Sequence, residues 1–514
     1  MAGPPRRTVI GTLDAVRLAS VDPRGLVQLD GAGWSLDWWI GAEDRWHVPA
    51  DEAGVRQALV GTAPAVESRL RVPGGEALHR AYAARDAGGV PVVVVEVENR
   101  SKVPFAVGLA VRPRGLDGTG AIRQVSAEGT EVRVDGRLVL VAARAPGRRV
   151  AGPGGPGDRS VAEVVLGGDA APEAAVAAQS ADGTAEAALV FPLAHTATLR
   201  VVLPLEPGPF DVSALPSAAQ VASGWLAHAR RGARIEVPDA RLKAAVDANI
   251  SHLLLRPHGA RVAAALDRFG FADEAAATLL GHEGVDPRAE PGEALLALTA
   301  HWTLTRDSAF ADAAAPVIAR LVASLGKSRS PDDLALGAVA SLGAAGMLEA
   351  AGEDRGAEDI RVAGQAMAKG AGPRVSTSGA DAQSKVAELL RIASATWTWA
   401  GPDDGHDPDV GAAILVGARL MLVTEVDGPA AGLQLSPGVP PGWYGQGWEV
   451  HEMPTASGRL SYAVRWHGDR AAVLWELDKH DDTPVPLTAP TLDPSWSSAD
   501  ARGEALLSPV VLPT

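Results

Sequence analysis

The chain has 514 residues, too many for one hydrophobic core, so several packed units are expected. Apolar residues make up 46% and charged residues 21%, a globular balance that argues against disorder, and a net charge of −15 leaves no basic face for nucleic acid or anionic lipid. With no cysteine, disulfides, thiolate metal sites and cysteine nucleophiles are excluded.

Met1 to Arg7 carries two arginines but no apolar segment follows, and no stretch reaches about 18 uninterrupted apolar residues, so a cytoplasmic protein with no membrane partner is expected. Heavy use of Ala, Gly, Val and Arg with few Lys, Tyr and Phe points to GC-rich, bacterial coding. Up to about residue 210 the apolar residues come in short, β-branched runs punctuated by Gly, Pro and Asp. Val90 to Val97, the polar Glu98 to Lys102 and Phe105 to Val111 read as strand, turn, strand; Leu138 to Ala142, Ala162 to Leu166, Ala187 to Phe191 and Thr198 to Leu205 read as further strands. Residues 1–210 are therefore expected to form an antiparallel β-sandwich, with Ala151 to Asp158 as a loop.

After Pro207-Gly208-Pro209 the apolar period changes from 2 to about 3.6, first over Ala214 to Arg231 and then at Leu242, Val246, Ile250, Leu253 and Leu254. Turns at Phe269 to Asp273, Leu304 to Asp307 and Ala350 to Asp354 recur roughly every 35 to 45 residues, the spacing of helical hairpins that bury their apolar faces only against neighbours. Residues 211–430 thus read as an α/α-hairpin domain that curves into a ring or partial ring, interrupted once at Gly370 to Gly379. Residues 431–514 return to period 2 around Ser457-Gly458 and His467-Gly468-Asp469 and read as a small β segment.

This order of parts, with Val95-Glu96-Val97-Glu98-Asn99-Arg100-Ser101, Trp225 to Leu254, Gly292 to Leu298 with His301-Trp302, and Leu433 to Trp443 followed by Gly458-Arg459-Leu460-Ser461, resembles the six-hairpin glycosidase superfamily. The resemblance implies an N-terminal sandwich, an (α/α) toroid and a saccharide substrate, of the glucoamylase and glycogen-debranching kind. A complete toroid has twelve helices, whereas about eight to ten candidates are available here, so either the helices are short or the toroid is incomplete.

Glycoside hydrolysis needs two carboxyl groups, one to protonate the leaving oxygen and one to activate water or attack carbon. In a helical toroid the loops leading into inner helices face the cavity, which selects two clusters: Glu283, Asp286, Glu290 and Glu293, and Asp403, Asp404, Asp407 and Asp409. The resemblance places the base before the last long helix, so Asp404 is the expected base and Glu290 the expected acid, with Glu293 and Asp407 beside them. Trp302, Trp397 and Trp399 would supply stacking surfaces. The competing reading makes Glu293 and Asp409 first-turn acids favoured by the helix dipole and the other aspartates loop solvators.

The window from Trp34 to His47 places Trp38, Trp39 and Trp46 beside Asp44 and Arg45. It reads either as a sugar platform or as a seal between sandwich and helices, with Arg45 paired to Asp37 or Asp44. Tyr444, Trp448 and His451 read as packing groups. No HExxH arrangement or nucleotide-binding glycine motif occurs, so no metal or cofactor is expected. The expected function is glycoside hydrolysis of an oligosaccharide or α-glucan; the alternatives are a non-catalytic saccharide-binding or scaffold protein on the same fold, and an α-solenoid that binds protein.

Overall fold

The computed structural model describes residues 7–510 except 14, 117, 156, 207, 209, 213, 282–289, 372–377, 400, 402–406 and 427–430. The chain divides into two compact units, residues 1–226 with 393–407, and residues 227–392 with 408–514. The C-terminal strands therefore share a unit with the helices.

The first unit is a sandwich of an eight-stranded and a nine-stranded antiparallel sheet. Pro91–Asn99 lies inside the larger sheet, where Val93, Val95 and Val97 enter the core between the sheets and Glu96 points to the other face. Glu96 is buried there and accepts hydrogen bonds from Arg200 Nη2 at 2.6 Å and Tyr82 Oη at 3.0 Å. The predicted strand, turn and strand around residues 90–111 exist, but the two strands are not partners: Phe105–Arg112 belongs to the eight-stranded sheet. Asn99 makes this corner. Its Nδ2 donates to Val103 O at 2.9 Å and Leu193 O at 3.2 Å, and its Oδ1 accepts from Ser101 N at 2.8 Å, so the chain leaves one sheet and enters the other with its polar groups satisfied.

The stretch expected as a strand at Ala162 to Leu166 is helical. Val161–Leu166 is a short helix, α1, because Ser160 and Glu163 form a capping box that satisfies its first amides. Six residues of Val, Ala and Leu have no decisive period, so the cap settles the local structure.

Helix α2 (Ala218–Ala229) follows the sandwich. The second unit holds α3 (Ala240–Leu255), α4 (Ala260–Arg268), α5 (Ala272–Leu280), α6 (Pro291–Thr305), α7 (Ser308–Leu325), α8 (Pro331–Ala350), α9 (Asp354–Gly370), α10 (Gly379–Ile392) and α11 (Pro408–Leu422). The three predicted turns join α4 to α5, α6 to α7 and α8 to α9. One layer runs α11, α4, α6, α8, each packed on the next, and α5, α7 and α9 form a second layer behind them, while α3 and α10 pack on α11. Packing of comparable extent does not join α8 or α9 to α10 or α11, so among the described residues the toroid is an incomplete arc. Small residues let its helices approach closely: a Cβ on Gly343 of α8 would lie 3.1 Å from Thr299 of α6.

The arc is continuous with two sheets. Arg234–Glu236 pairs with Trp448–Thr455 at the edge of a five-stranded antiparallel sheet, and Gly432–Leu435 pairs in parallel with Leu487–Ala489 in a four-stranded one. Trp448 is buried there, with Nε1 donating to Ser436 Oγ at 2.9 Å, as a packing role requires.

Candidate functional site

Three helix N-termini meet at one rim of the arc, because α4 packs against both α6 and α11. Gly259 precedes α4 with φ of 83°, a left-handed conformation that glycine adopts without strain, and Arg261 follows in the first turn. Glu290 is the N-cap of α6 and Glu293 lies in its first turn behind Pro291, while Asp409 lies in the first turn of α11 behind Pro408.

Arg261 gathers these acids. Its Nη2 is 2.9 Å from Glu290 Oε1, its Nε 2.7 Å from Glu293 Oε2, and its Nη1 2.9 Å from Asp409 Oδ2. Three carboxylates about one guanidinium leave a local excess of negative charge. Glu293 is the least exposed of the four side chains, at 26%, and burial with the charges of Glu290 and Asp409 raises its carboxyl above the ordinary range, although Arg261 pulls the other way. The same carboxylates raise Arg261 itself, which stays a fixed cation.

The two acidic clusters predicted from sequence therefore contribute to one site through Glu290, Glu293 and Asp409. Asp404, the expected base, lies outside the described residues, as do Glu283, Asp286, Asp403 and His406. Asp407 belongs to the sandwich unit, where its amide donates to Trp399 O at 3.0 Å. Trp397 and Trp399 belong to that unit too. Trp399 is buried, and Trp397 has a left-handed φ of 57° within a turn whose Ser394, Thr396 and Thr398 hydroxyls bond to one another; Thr396 continues to Thr8 Oγ1 at 2.6 Å. Trp302 is nine residues beyond Glu293 on α6, about 13 Å along the axis, and stacks under Arg306 at 4.8 Å, so it does not wall the acidic rim.

The tryptophan window is corrected more strongly. Trp38 and Trp39 are each 1% exposed and offer no ring face to a sugar. Trp38 lies between the sheets, stacked on His79 at 4.7 Å, while Trp39 enters the opposite face among Ala110, Val161, Val165 and Val190. The register explains the fit: Gly108 stands opposite Trp39 and leaves room for its ring, and Trp46 covers Gly41. Asp44 contacts His47 Nε2 at 3.1 Å. Arg45 pairs with Glu52 at 2.6 Å, whereas Asp37, a partner expected for it, pairs with Arg112.

Arg261 was not foreseen. A signal existed, since a cation in a helix's first turn opposes the dipole and needs anions nearby. Elsewhere, a cavity of about 900 Å³ opens in the sandwich unit beside Trp34, Arg17, Asp135 and Glu206 rather than beside either acidic cluster.

No family model and no curated protein matches the chain. Among solved structures, a bacterial glucoamylase complexed with acarbose aligns with 72% of this chain and 68% of its own at 10% identity and a TM-score of 0.48. A putative kojibiose phosphorylase from the human microbiome aligns over 96% of both chains at 9% identity and a TM-score of 0.49. Both scores lie below 0.5, and the architecture described above rests on the chain's own elements and packing.

Proposed function

We propose that this is a carbohydrate-active protein of glycoside-hydrolase type, with the acidic rim about Arg261 as its saccharide site and Glu293 as its proton donor. The observation that carries this reading is the convergence of Glu290 and Glu293 with Asp409, from two clusters more than 100 residues apart, on one guanidinium. A general acid must hold its proton near neutral pH, and a carboxyl raised by burial among other acids is suited to that task. The second carboxylate is assigned to the later cluster, with Asp404 as the base, since Glu290, like Glu293 and Asp409, is engaged by Arg261.

A second reading, a non-catalytic saccharide-binding or scaffold protein, is favoured by the incomplete arc and by the engagement of all three acids with Arg261. Release of reducing sugar from a panel of α- and β-linked oligosaccharides, with calorimetric binding in parallel, separates the two. Glu293→Gln should abolish turnover and retain binding. Binding without turnover by the unaltered chain across the panel would establish the second reading, and neither binding nor turnover would remove both.

A further inference from the structure

The opposite ends of the same helices enclose a different chemistry. A cavity of about 160 Å³ lies between α4, α6, α8 and α11, several waters' worth at about 30 Å³ each, and its wall carries Arg268, Arg419, Glu425 and Gly343. Two guanidinium groups thus face one carboxylate. Arg268 ends α4 and makes a single hydrogen bond, Nη1 to Ala264 O at 2.8 Å, and among the described residues no carboxylate lies within ion-pair distance of it. Asp267, next to it, is engaged by His301 Nδ1 at 3.1 Å.

Arg419, 3% exposed, gives Nη1 to Val423 O at 3.1 Å and Nη2 to Glu425 at 2.8 Å and Pro454 O at 3.0 Å, but its buried Nε has no hydrogen-bond partner among the described residues. The carbonyl ends of α4 and α11 favour cations here and account for part of this arrangement. They do not account for Arg268, which lines the cavity with no ion-pair partner among the described residues, nor for the buried Nε of Arg419, another residue of the lining, because an unsatisfied buried donor is costly. Burial and the Arg419 charge weaken the hold of Arg268 on its proton, as expected for a cation short of an anion.

We propose that this cavity binds a small oxyanion, a phosphate, sulfate or carboxylate group, held between Arg268 and Arg419. Guanidinium donors match such groups, Arg268 giving only Nη1 to Ala264 O, and Gly343 adds no side chain to the α8 wall beside Val339 and Ala340. The site is independent of the acidic rim and of any reaction there.

The test is calorimetric titration of the full chain with inorganic phosphate and, separately, with acetate, at constant ionic strength set with chloride. Saturable binding of either anion supports the site and identifies which geometry it prefers; binding of neither overturns it. Arg268→Gln should weaken binding roughly 10- to 100-fold, the effect of losing one charge-assisted contact, and unchanged affinity in the folded variant overturns the proposal. Should that variant fail to fold, as judged by near-ultraviolet circular dichroism, Glu425→Gln decides. Loss of the competing carboxylate should tighten anion binding several-fold, and unchanged or weaker binding overturns the site.

Discussion

Replacing Arg261 by Gln removes the cation that, among the described residues, holds three carboxylates together. The contacts are short, 2.7 to 2.9 Å, but the four side chains are between 26% and 50% exposed, so water screens them. Each pair then contributes about 0.2–1 kcal/mol, and their loss, with the repulsion left among Glu290, Glu293 and Asp409, should lower stability by about 1–2 kcal/mol near pH 7. The pH dependence has a definite sign. Glu293 is already raised in the folded chain, and without Arg261 it rises further. Between the unfolded and folded values the native state holds a proton that the unfolded state has released, so stability falls as pH rises through that window. The deficit of the variant should be greatest near pH 7 and shrink as pH falls through the window in which Glu293 takes up its proton. Urea unfolding followed by tryptophan fluorescence, at several pH values for both chains, measures this directly. A deficit of the same size at every pH would refute the electrostatic account and leave only the packing of the arginine stem.

Arg200→Met should destabilise the sandwich unit by about 3–5 kcal/mol in urea unfolding, because it leaves the buried Glu96 carboxylate without its cation; Glu96→Gln, which removes the charge as well, should cost less. Trp39→Ala should lower stability by about 3–5 kcal/mol by opening a cavity beneath α1, and saccharide affinity measured by calorimetry should not change in the folded fraction.

The order of parts was legible because period and punctuation are local properties. Period 2 with β-branched residues marked the strands, period 3.6 marked the helices, and the turns at Phe269 to Asp273, Leu304 to Asp307 and Ala350 to Asp354 fell where α4 meets α5, α6 meets α7 and α8 meets α9. Acids ahead of α6 and α11 could be named for the same reason: helix starts and acidic residues are both visible in a line of letters. Pairing was not visible. Val90 to Val111 looked like two adjacent strands, yet Asn99 turns the chain into a different sheet, a choice made by carbonyls at Val103 and Leu193 that only the folded sandwich presents. The tryptophan window shows the same limit, since whether Trp38 and Trp39 face solvent or core depends on which strand lies alongside, and Gly108 opposite Trp39 decides it. The meeting of Glu290, Glu293 and Asp409 on Arg261, and of Arg268 and Arg419 at the other ends of the same helices, depends on which helices of the arc become neighbours. The residues themselves determined which stretches are strand or helix and which helix ends carry charge; tertiary packing alone decided which charges share a site, because that requires contacts between residues more than 100 positions apart.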